Sequence, residues 1–178
     1  QMCIRDRFIL SNTSDKTLVP AEEGEPTLVF DLPEGATNLE FQDGAMGGRF
    51  VETPNGFGDT AVIRPGQGNY QVLFAFEMPY DNKLELAQPI NVPLNAVVVL
   101  VPEGTINLKG ENLQDAGVRD VQGTQYRMYN LAALGPDSEL RLSITGRPGG
   151  TSPVVSVGSN ETLVIGLAAL GLVLIGAG

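Results

Sequence analysis

Apolar and polar residues alternate with a period of two in the clearest stretches of this chain. Every second residue from Tyr70 to Tyr80 is apolar, and the same pattern runs from Leu140 to Ile144. Such alternation predicts β-strands that have one face in a hydrophobic core. Further strands are predicted at 8–12, 27–33, 37–41, 49–53, 60–64, 96–102, 106–110 and 124–130. No stretch outside the C-terminal tail has a helical period, so the pattern predicts an all-β, antiparallel fold.

Two local signals refine this prediction. Asp81-Asn82 lies between two strand patterns, and both residue types tolerate the positive φ that a two-residue hairpin requires. A hairpin is therefore predicted there. The unbroken apolar run from Ala96 to Val101 predicts a central strand that is covered on both faces.

The chain contains an approximate internal sequence repeat. "TLVFDLPEGATNL" (27–39) aligns without gaps on "AVVVLVPEGTINL" (96–108), and 64–74 roughly matches 134–144. The sequence repeat predicts two small tandem antiparallel β-sandwich units, at 8–82 and 83–148, with one larger sandwich as the alternative.

The N-terminal residues 1–7, "QMCIRDR", resemble translated adapter sequence at the edge of an assembled metagenomic reading frame. They contain Cys3, the only cysteine, and no cap, turn or periodicity in the sequence joins them to the strand predicted from Phe8. We therefore interpret 1–7 as a probable artefact and exclude it from the predicted fold.

The C-terminal tail differs from the rest of the chain. Residues 149–161 are rich in Gly, Pro and Ser and are predicted to form a flexible linker. Residues 162–178 carry no charged side chain and predict a single-pass transmembrane helix. Seventeen helical residues span only about 25 Å of a hydrocarbon core of about 30 Å, so the helix is interpreted as truncated. A buried C-terminal core helix and a cleaved sorting tail are the alternatives.

Charge limits the partners and sets the orientation. The formal net charge is -10 and no basic patch is present, which argues against nucleic acid as a partner. No Lys or Arg follows Arg147. Because positive residues favour the cytoplasmic side of a span, the β domain is predicted to be extracytoplasmic.

The absence of histidine restricts the possible chemistry. It excludes Ser-His-Asp and Cys-His catalysis and removes the usual zinc and copper ligand. We therefore predict a non-enzyme with no catalytic, cofactor-binding or metal-binding residues and no cofactor, and leave its ligand-binding residues unassigned.

Three residue sets are candidate sites. Methionines at Met46, Met78 and Met128 suit a soft copper site, but the last two fall on predicted core faces, so packing is favoured. A glycosidase needs two carboxylates, and the candidates are Asp43, Glu52, Asp59, Glu77 and Asp81. No spacing selects a pair among them, so a solvated surface is favoured.

The third set lies in the glycine-rich stretch 40–60 and consists of Asp43, Arg49, Asn55 and Asp59. Its oxygen donors suit a ligand-binding or Ca²⁺-binding loop. Glycine in such a stretch more often only makes turns, so this interpretation is the less favoured one.

The order of parts resembles bacterial membrane-anchored envelope proteins, in which Ig-like or carboxypeptidase-regulatory-like β-sandwiches precede a C-terminal transmembrane helix. The resemblance rests on "LPEGATNLEF", "PGQGNYQVLFAFEMPY" and the tail. It implies a non-enzymatic extracytoplasmic module for protein or glycan interaction, located in the membrane. The alternatives are a Ca²⁺-dependent carbohydrate-binding unit and an accessory domain of a larger envelope hydrolase.

Overall fold

The structure, a computed structural model, describes residues 1–104, 106–121, 123–147 and 163–173, with only the backbone at 67–69 and 163–173. These residues form thirteen β-strands and no helix. All neighbouring strands pair antiparallel except one parallel pair. The predicted all-β, antiparallel class is therefore confirmed.

The strands fall into two groups of six and a last strand. The first group is β1 (Met2–Asn12), β2 (Leu28–Asp31), β3 (Thr37–Phe41), β4 (Phe50–Thr53), β5 (Gly56–Asp59) and β6 (Gly66–Met78). The second group is β7 (Lys83–Ile90), β8 (Leu94–Pro102), β9 (Asn107–Gly110), β10 (Gln114–Val121), β11 (Thr124–Leu131) and β12 (Ser138–Thr145). The last strand is β13 (Leu163–Val173).

The sheet order repeats along the chain. A seven-stranded sheet has the order β10-β11-β8-β13-β1-β6-β3, and two three-stranded sheets have the orders β7-β12-β9 and β2-β5-β4. Adding six to the strand numbers of β1-β6-β3 and β2-β5-β4 gives β7-β12-β9 and β8-β11-β10. One topology of six strands therefore occurs twice, and β13 belongs to neither copy. The division of the chain at residues 82 and 83 stays a prediction.

The sequence repeat coincides with equivalent strands of the topological repeat. Its first copy covers β2 and the start of β3, and its second covers most of β8 and the start of β9. In each copy the Pro-Glu-Gly turn carries the chain from one sheet to another. Gly35 and Gly104 in these turns have φ values of 86° and 156°, a region that glycine enters at little cost.

The core is one hydrophobic cluster to which all three sheets contribute. The predicted alternation is confirmed in β6, where Val72, Phe74 and Phe76 are buried. It is also confirmed in β12, where the buried residues are Leu140, Leu142 and Ile144. Facing sheets with buried inner faces give the molecule its sandwich-like character.

The two groups of six strands meet at two places. In one layer β13 lies between β1 and β8, parallel to the first and antiparallel to the second. In the other layer β2 contacts β7, and polar groups of Asp31, Gln88 and Asn91 bridge them. The two copies of the topology are thus held side by side.

The structure differs from two of the local predictions, for the turn at Asp81-Asn82 and for the strand at 96–101. Asn82 has a φ of 58° in the turn between β6 and β7. These two strands belong to different sheets and do not pair with each other, so the prediction of a hairpin is wrong. In β8 the inner residues Val97, Val99 and Val101 are buried. The outer residues Val98 and Leu100 are only half-buried, so the prediction of cover on both faces is wrong for the described residues.

Three elements of the structure differ from the sequence-based prediction. Residues 60–64 are not a strand; only Ile63 pairs, in an isolated bridge with Leu18. β5 and β10 were not predicted. In β5, a Cβ added to Gly56 would lie 2.2 Å from the Phe30 carbonyl oxygen, and one added to Gly58 2.3 Å from Pro26 Cβ. Glycine is required at this close approach, and it removes the alternation that would mark a strand.

The exclusion of residues 1–7 from the fold is wrong for the described structure. Residues 2–7 extend β1 and pair with β6 from Met2, opposite Met78, onwards. Met2, Ile4 and Asp6 are buried, in step with Phe8 and Leu10. The buried Asp6 interrupts an apolar alternation that otherwise joins this segment to the rest of the strand.

The predicted helix at 162–178 is not seen in the part of it that the structure describes. Residues 163–173 form β13, where the strand edges of β1 and β8 supply partners for its backbone groups. Residues 148–162 and 174–178, which include the predicted linker, lie outside the described residues. None of the described residues belongs to a helix able to cross a membrane. The membrane span stays a prediction.

Candidate functional site

The most completely bonded polar cluster surrounds Asp59, at the end of β5. Arg49 donates from Nε to Oδ1 at 3.1 Å and from Nη2 to Oδ2 at 2.7 Å. The Tyr70 hydroxyl donates to Oδ2 at 2.5 Å and the Ala61 amide to Oδ1 at 3.0 Å. Asp59 is fully buried, so these donors replace its hydration.

Aromatic rings complete the surroundings of this ion pair. The Arg49 guanidinium lies 4.9 Å from the centroid of the Phe50 ring and 5.1 Å from that of Tyr70. The hydrogen bond from Arg49 to Asp59 raises the pKa of the guanidinium. Burial, and then the hydrogen bond to Asp59, raise the pKa of Tyr70. Arg49 therefore stays charged and Tyr70 stays protonated near neutral pH, which makes the cluster a structural element.

Of the four candidate residues in the glycine-rich stretch 40–60, which was predicted as a possible Ca²⁺-binding loop, only Arg49 and Asp59 lie in this cluster. The structure brings Arg49 and Asp59 together, because Phe50 of β4 is in register with Asp59 of β5. Asp43 and Asn55 are instead exposed, in separate turns. Among the described residues, no group of three or more Cys, Asp or Glu side chains is placed to hold a metal ion. Asp59 and Arg49 form an ion pair with each other.

The other sequence candidates are dispersed. Glu52 and Asp81 are exposed, and Glu77 accepts a hydrogen bond from Asn38 Nδ2 at 2.8 Å. Packing is confirmed for Met78, which is buried. Met46 lies in a loop and is exposed.

The prediction that Met128 lies on a core face is wrong. Met128 is in register with Leu100 and is half-buried, on the sheet face opposite the buried Val99. The strand itself was predicted, but the face it buries depends on its register with β8.

A polar cleft that the sequence did not reveal lies where β3 leaves the register of β6. The pairing shifts between Thr37 and Glu40, and Asn38 has a φ of 52° there. The cleft has a volume of about 270 Å³ and is lined by Cys3, Asn38, Leu39, Glu40, Ala75, Phe76 and Glu77. Burial raises the pKa of the Cys3 thiol, so this group is a poor nucleophile at neutral pH.

A second polar feature lies where the two groups of strands meet. Asp6 and Gln88 are 2 % and 3 % exposed, and both line a cavity of about 10 Å³. Neither Asp6 Oδ1 nor Gln88 Oε1 has a hydrogen-bond partner among the residues that the structure describes. Burial raises the pKa of Asp6 to about 8, because the charged carboxylate would lose its hydration there.

Replacing Asp6 by asparagine is expected to change how stability depends on pH. The unfolded carboxyl titrates near 3.8 and the folded one near 8, so in this window the folded state binds the extra proton. Stability of the wild-type protein should therefore fall as the pH rises from 4 to 8, and the Asp6→Asn variant should lose less over the same range. Urea denaturation across this range measures the difference, with the exposed Asp43→Asn as control. Parallel pH profiles for wild type and Asp6→Asn would contradict the assignment.

Exposed apolar side chains mark one surface of the first group of strands. Val19 and Val62 are 61 % and 47 % exposed. The antiparallel bridge between Leu18 and Ile63 places these two valines opposite each other on a short ribbon. Large contiguous apolar patches are typical of contact surfaces, whereas scattered exposed apolar residues are ordinary.

The fold defines an all-β, sandwich-like protein built from a repeated six-strand topology. No protein family model, no curated protein and no solved structure matches this chain. Its function is therefore inferred from its fold, its surface and its tail.

Proposed function

We propose that this protein is a non-enzymatic interaction module of the bacterial cell envelope. It is held in the membrane by a single span at its C-terminus and presents its β-sandwich domain on the extracytoplasmic side to a protein or glycan partner. The anchored state contains the helix expected over 162–178.

The observation that carries this proposal is the uncharged tail. Residues 162–178 form a run of seventeen residues without a charged side chain, in a chain whose formal charge is -10. Nine Leu, Ile and Val residues in it favour insertion by about 0.3–0.6 kcal/mol each at a helix centre. A spacer rich in Gly, Pro and Ser precedes it, which suits a domain that stands off a membrane.

The strand order supports an Ig-like assignment for each unit. In the immunoglobulin fold the order B-E-D faces the order C-F-G. Here β2-β5-β4 and β3-β6 follow the orders B-E-D and C-F, and β8-β11-β10 and β9-β12 do so again. The place of the last strand G is taken by the first strand of each unit, β1 or β7. Such modules usually act through their surfaces, which agrees with the ion pair that Arg49 forms with the buried Asp59.

The anchor is tested by fractionation of cells that express the full chain. The wild-type protein is expected in the membrane fraction and to resist carbonate extraction. Replacing Leu167 and Leu170 by lysine should release it, because each lysine at a helix centre opposes insertion by about 2.5–3.5 kcal/mol. The matched control places the same two lysines at Ser156 and Ser159, in the linker, and should stay in the membrane. Recovery of the wild type in the soluble fraction would contradict the anchor.

The orientation is tested separately. Protease added to intact spheroplasts is expected to remove the β domain, because no positive residue precedes the span after Arg147. Protection of the domain until the cells are lysed would show the opposite orientation and leave the anchor itself standing.

A further inference from the structure

The topological repeat separates β13 from the rest of the fold. Each group of six strands forms two three-stranded sheets without it. The two groups also meet independently of β13, where Gln88 Nε2 donates to the Asp31 carbonyl at 2.9 Å and the Asp31 amide donates to Asn91 Oδ1 at 3.0 Å. Each unit thus has all six of its strands without β13. β13 is an additional strand that lies between the two units.

The gap that β13 fills has the width of one strand. On one side β13 runs parallel to β1, from the pair Met2–Leu163 to the pair Asn12–Val173. On the other side it runs antiparallel to β8, from Gly166 opposite Leu100 to Gly171 opposite Leu94. Two strand spacings of about 4.8 Å separate β1 from β8. We call the space between these two edges the β1–β8 slot.

The slot favours an uncharged, apolar strand. Most odd-numbered positions of β13 are in register with buried apolar residues, such as Ile4 and Phe8 of β1 and Val97 of β8. Positions 167 and 173 instead lie opposite the buried polar residues Asp6 and Asn12. Opposite the apolar residues a charged side chain would lose its hydration without gaining a partner. The backbone edges of β1 and β8 supply hydrogen bonds to any extended segment, as in other cases of strand addition.

We propose that the β1–β8 slot is a binding site for an extended, uncharged, apolar strand of a partner protein, and that residues 163–173 occupy it until they enter the membrane. The inference rests on the proposed function, because it takes the same segment as the anchor. One segment cannot be a strand in the sheet and a helix in the bilayer at once. Membrane insertion therefore opens the slot, and the partner is a protein strand and not a glycan.

The test uses the full chain and two labelled peptides of eleven residues. The first keeps the odd-numbered residues of 163–173 and has threonine at the even positions, and the second keeps the even-numbered residues and has threonine at the odd positions. Because side chains alternate between faces, only the first presents apolar groups in register with the buried residues of β1. With the protein bound to phosphatidylcholine vesicles, the first peptide is expected to bind at least about tenfold more tightly than the second. Without vesicles its binding should be lost.

A locked variant provides the matched control. Val98 and Ala168 are opposite each other in the pairing of β8 with β13. Replacing both by cysteine, in a Cys3→Ser background, should allow a disulfide that holds the segment in the slot. The oxidised protein is expected to bind neither vesicles nor the first peptide, and reduction should restore both. Equal peptide binding before and after reduction would overturn the inference.

Hydrogen exchange separates failure of the slot from failure of the anchor. Amides of β1 and β8 should exchange faster when the chain binds vesicles and slow again when the first peptide is added. A chain that binds vesicles while these amides stay protected and the two peptides bind alike overturns the inference and leaves the anchor intact. A chain that does not bind vesicles at all overturns the proposed anchor instead.

Discussion

Replacing Arg49 by alanine is expected to destabilise the protein by about 3–5 kcal/mol, because it leaves a charge buried without its counter-ion. Asp59 is fully buried, and its ion pair with Arg49 measures 2.7 Å. The remaining donors, Tyr70 and the Ala61 amide, are neutral and compensate for only part of the loss. Urea denaturation at pH 7, followed by far-UV circular dichroism, measures the change.

Two further variants serve as controls for Arg49→Ala. Arg49→Lys keeps the charge but loses the forked hydrogen bonding, so its loss should lie between those of wild type and Arg49→Ala. Arg141 pairs with Glu139 on the surface, where its side chain is 76 % exposed, and Arg141→Ala should leave stability unchanged within error. If Arg49→Ala were no more destabilising than Arg141→Ala, the buried ion pair would not be present in solution.

Replacing Phe57 by alanine is expected to have an effect of similar size, about 3–5 kcal/mol, through a different mechanism. Phe57 is fully buried and lies at the centre of a group of aromatic rings. Its centroid is 4.8–5.5 Å from those of Phe30, Phe41, Phe50 and Phe74. Alanine would leave a cavity beside Gly56 and Gly58, where the backbone already packs closely against its neighbours and has little freedom to collapse.

The matched control for this variant is Phe57→Leu, which retains most of the buried volume and should cost less than half as much. Both variants should unfold in one transition, because the buried residues of all sheets belong to one cluster. Thermal unfolding followed by calorimetry detects this. An equal loss for alanine and leucine would show that the aromatic contacts, and not the filled volume, determine stability at this position.

Strands that alternate regularly could be predicted from the sequence, and those that do not could not. β6 and β12 carry an apolar residue at every second position, which reports one buried face directly. β5 consists of Gly56, Phe57, Gly58 and Asp59, whose pattern resembles a turn although it is the middle strand of a sheet. In β10 the register shifts between Asp115 and Val118, so no regular alternation exists to be found.

The candidate polar residues were found in the sequence, but their arrangement was not. Arg49 and Asp59 are ten residues apart, and only the register of β4 with β5 brings them together. Asp6 and Gln88 meet only because the two groups of strands lie side by side. Contacts between distant segments depend on register and sheet order, and neither is encoded in the period of a single strand.

The repeated topology makes this chain the single-chain counterpart of a twofold-symmetric dimer. Each strand of one copy has a counterpart in the other copy, six strands earlier or later along the chain. If every strand is replaced by its counterpart, the junction of β1 with β8 becomes the junction of β7 with β2. In a dimer of identical subunits these two junctions would be the same, since an isologous interface repeats every contact. Here they differ, because the two copies have different sequences. One junction is closed by Asp31, Gln88 and Asn91, and the other is left wide enough for a separate strand.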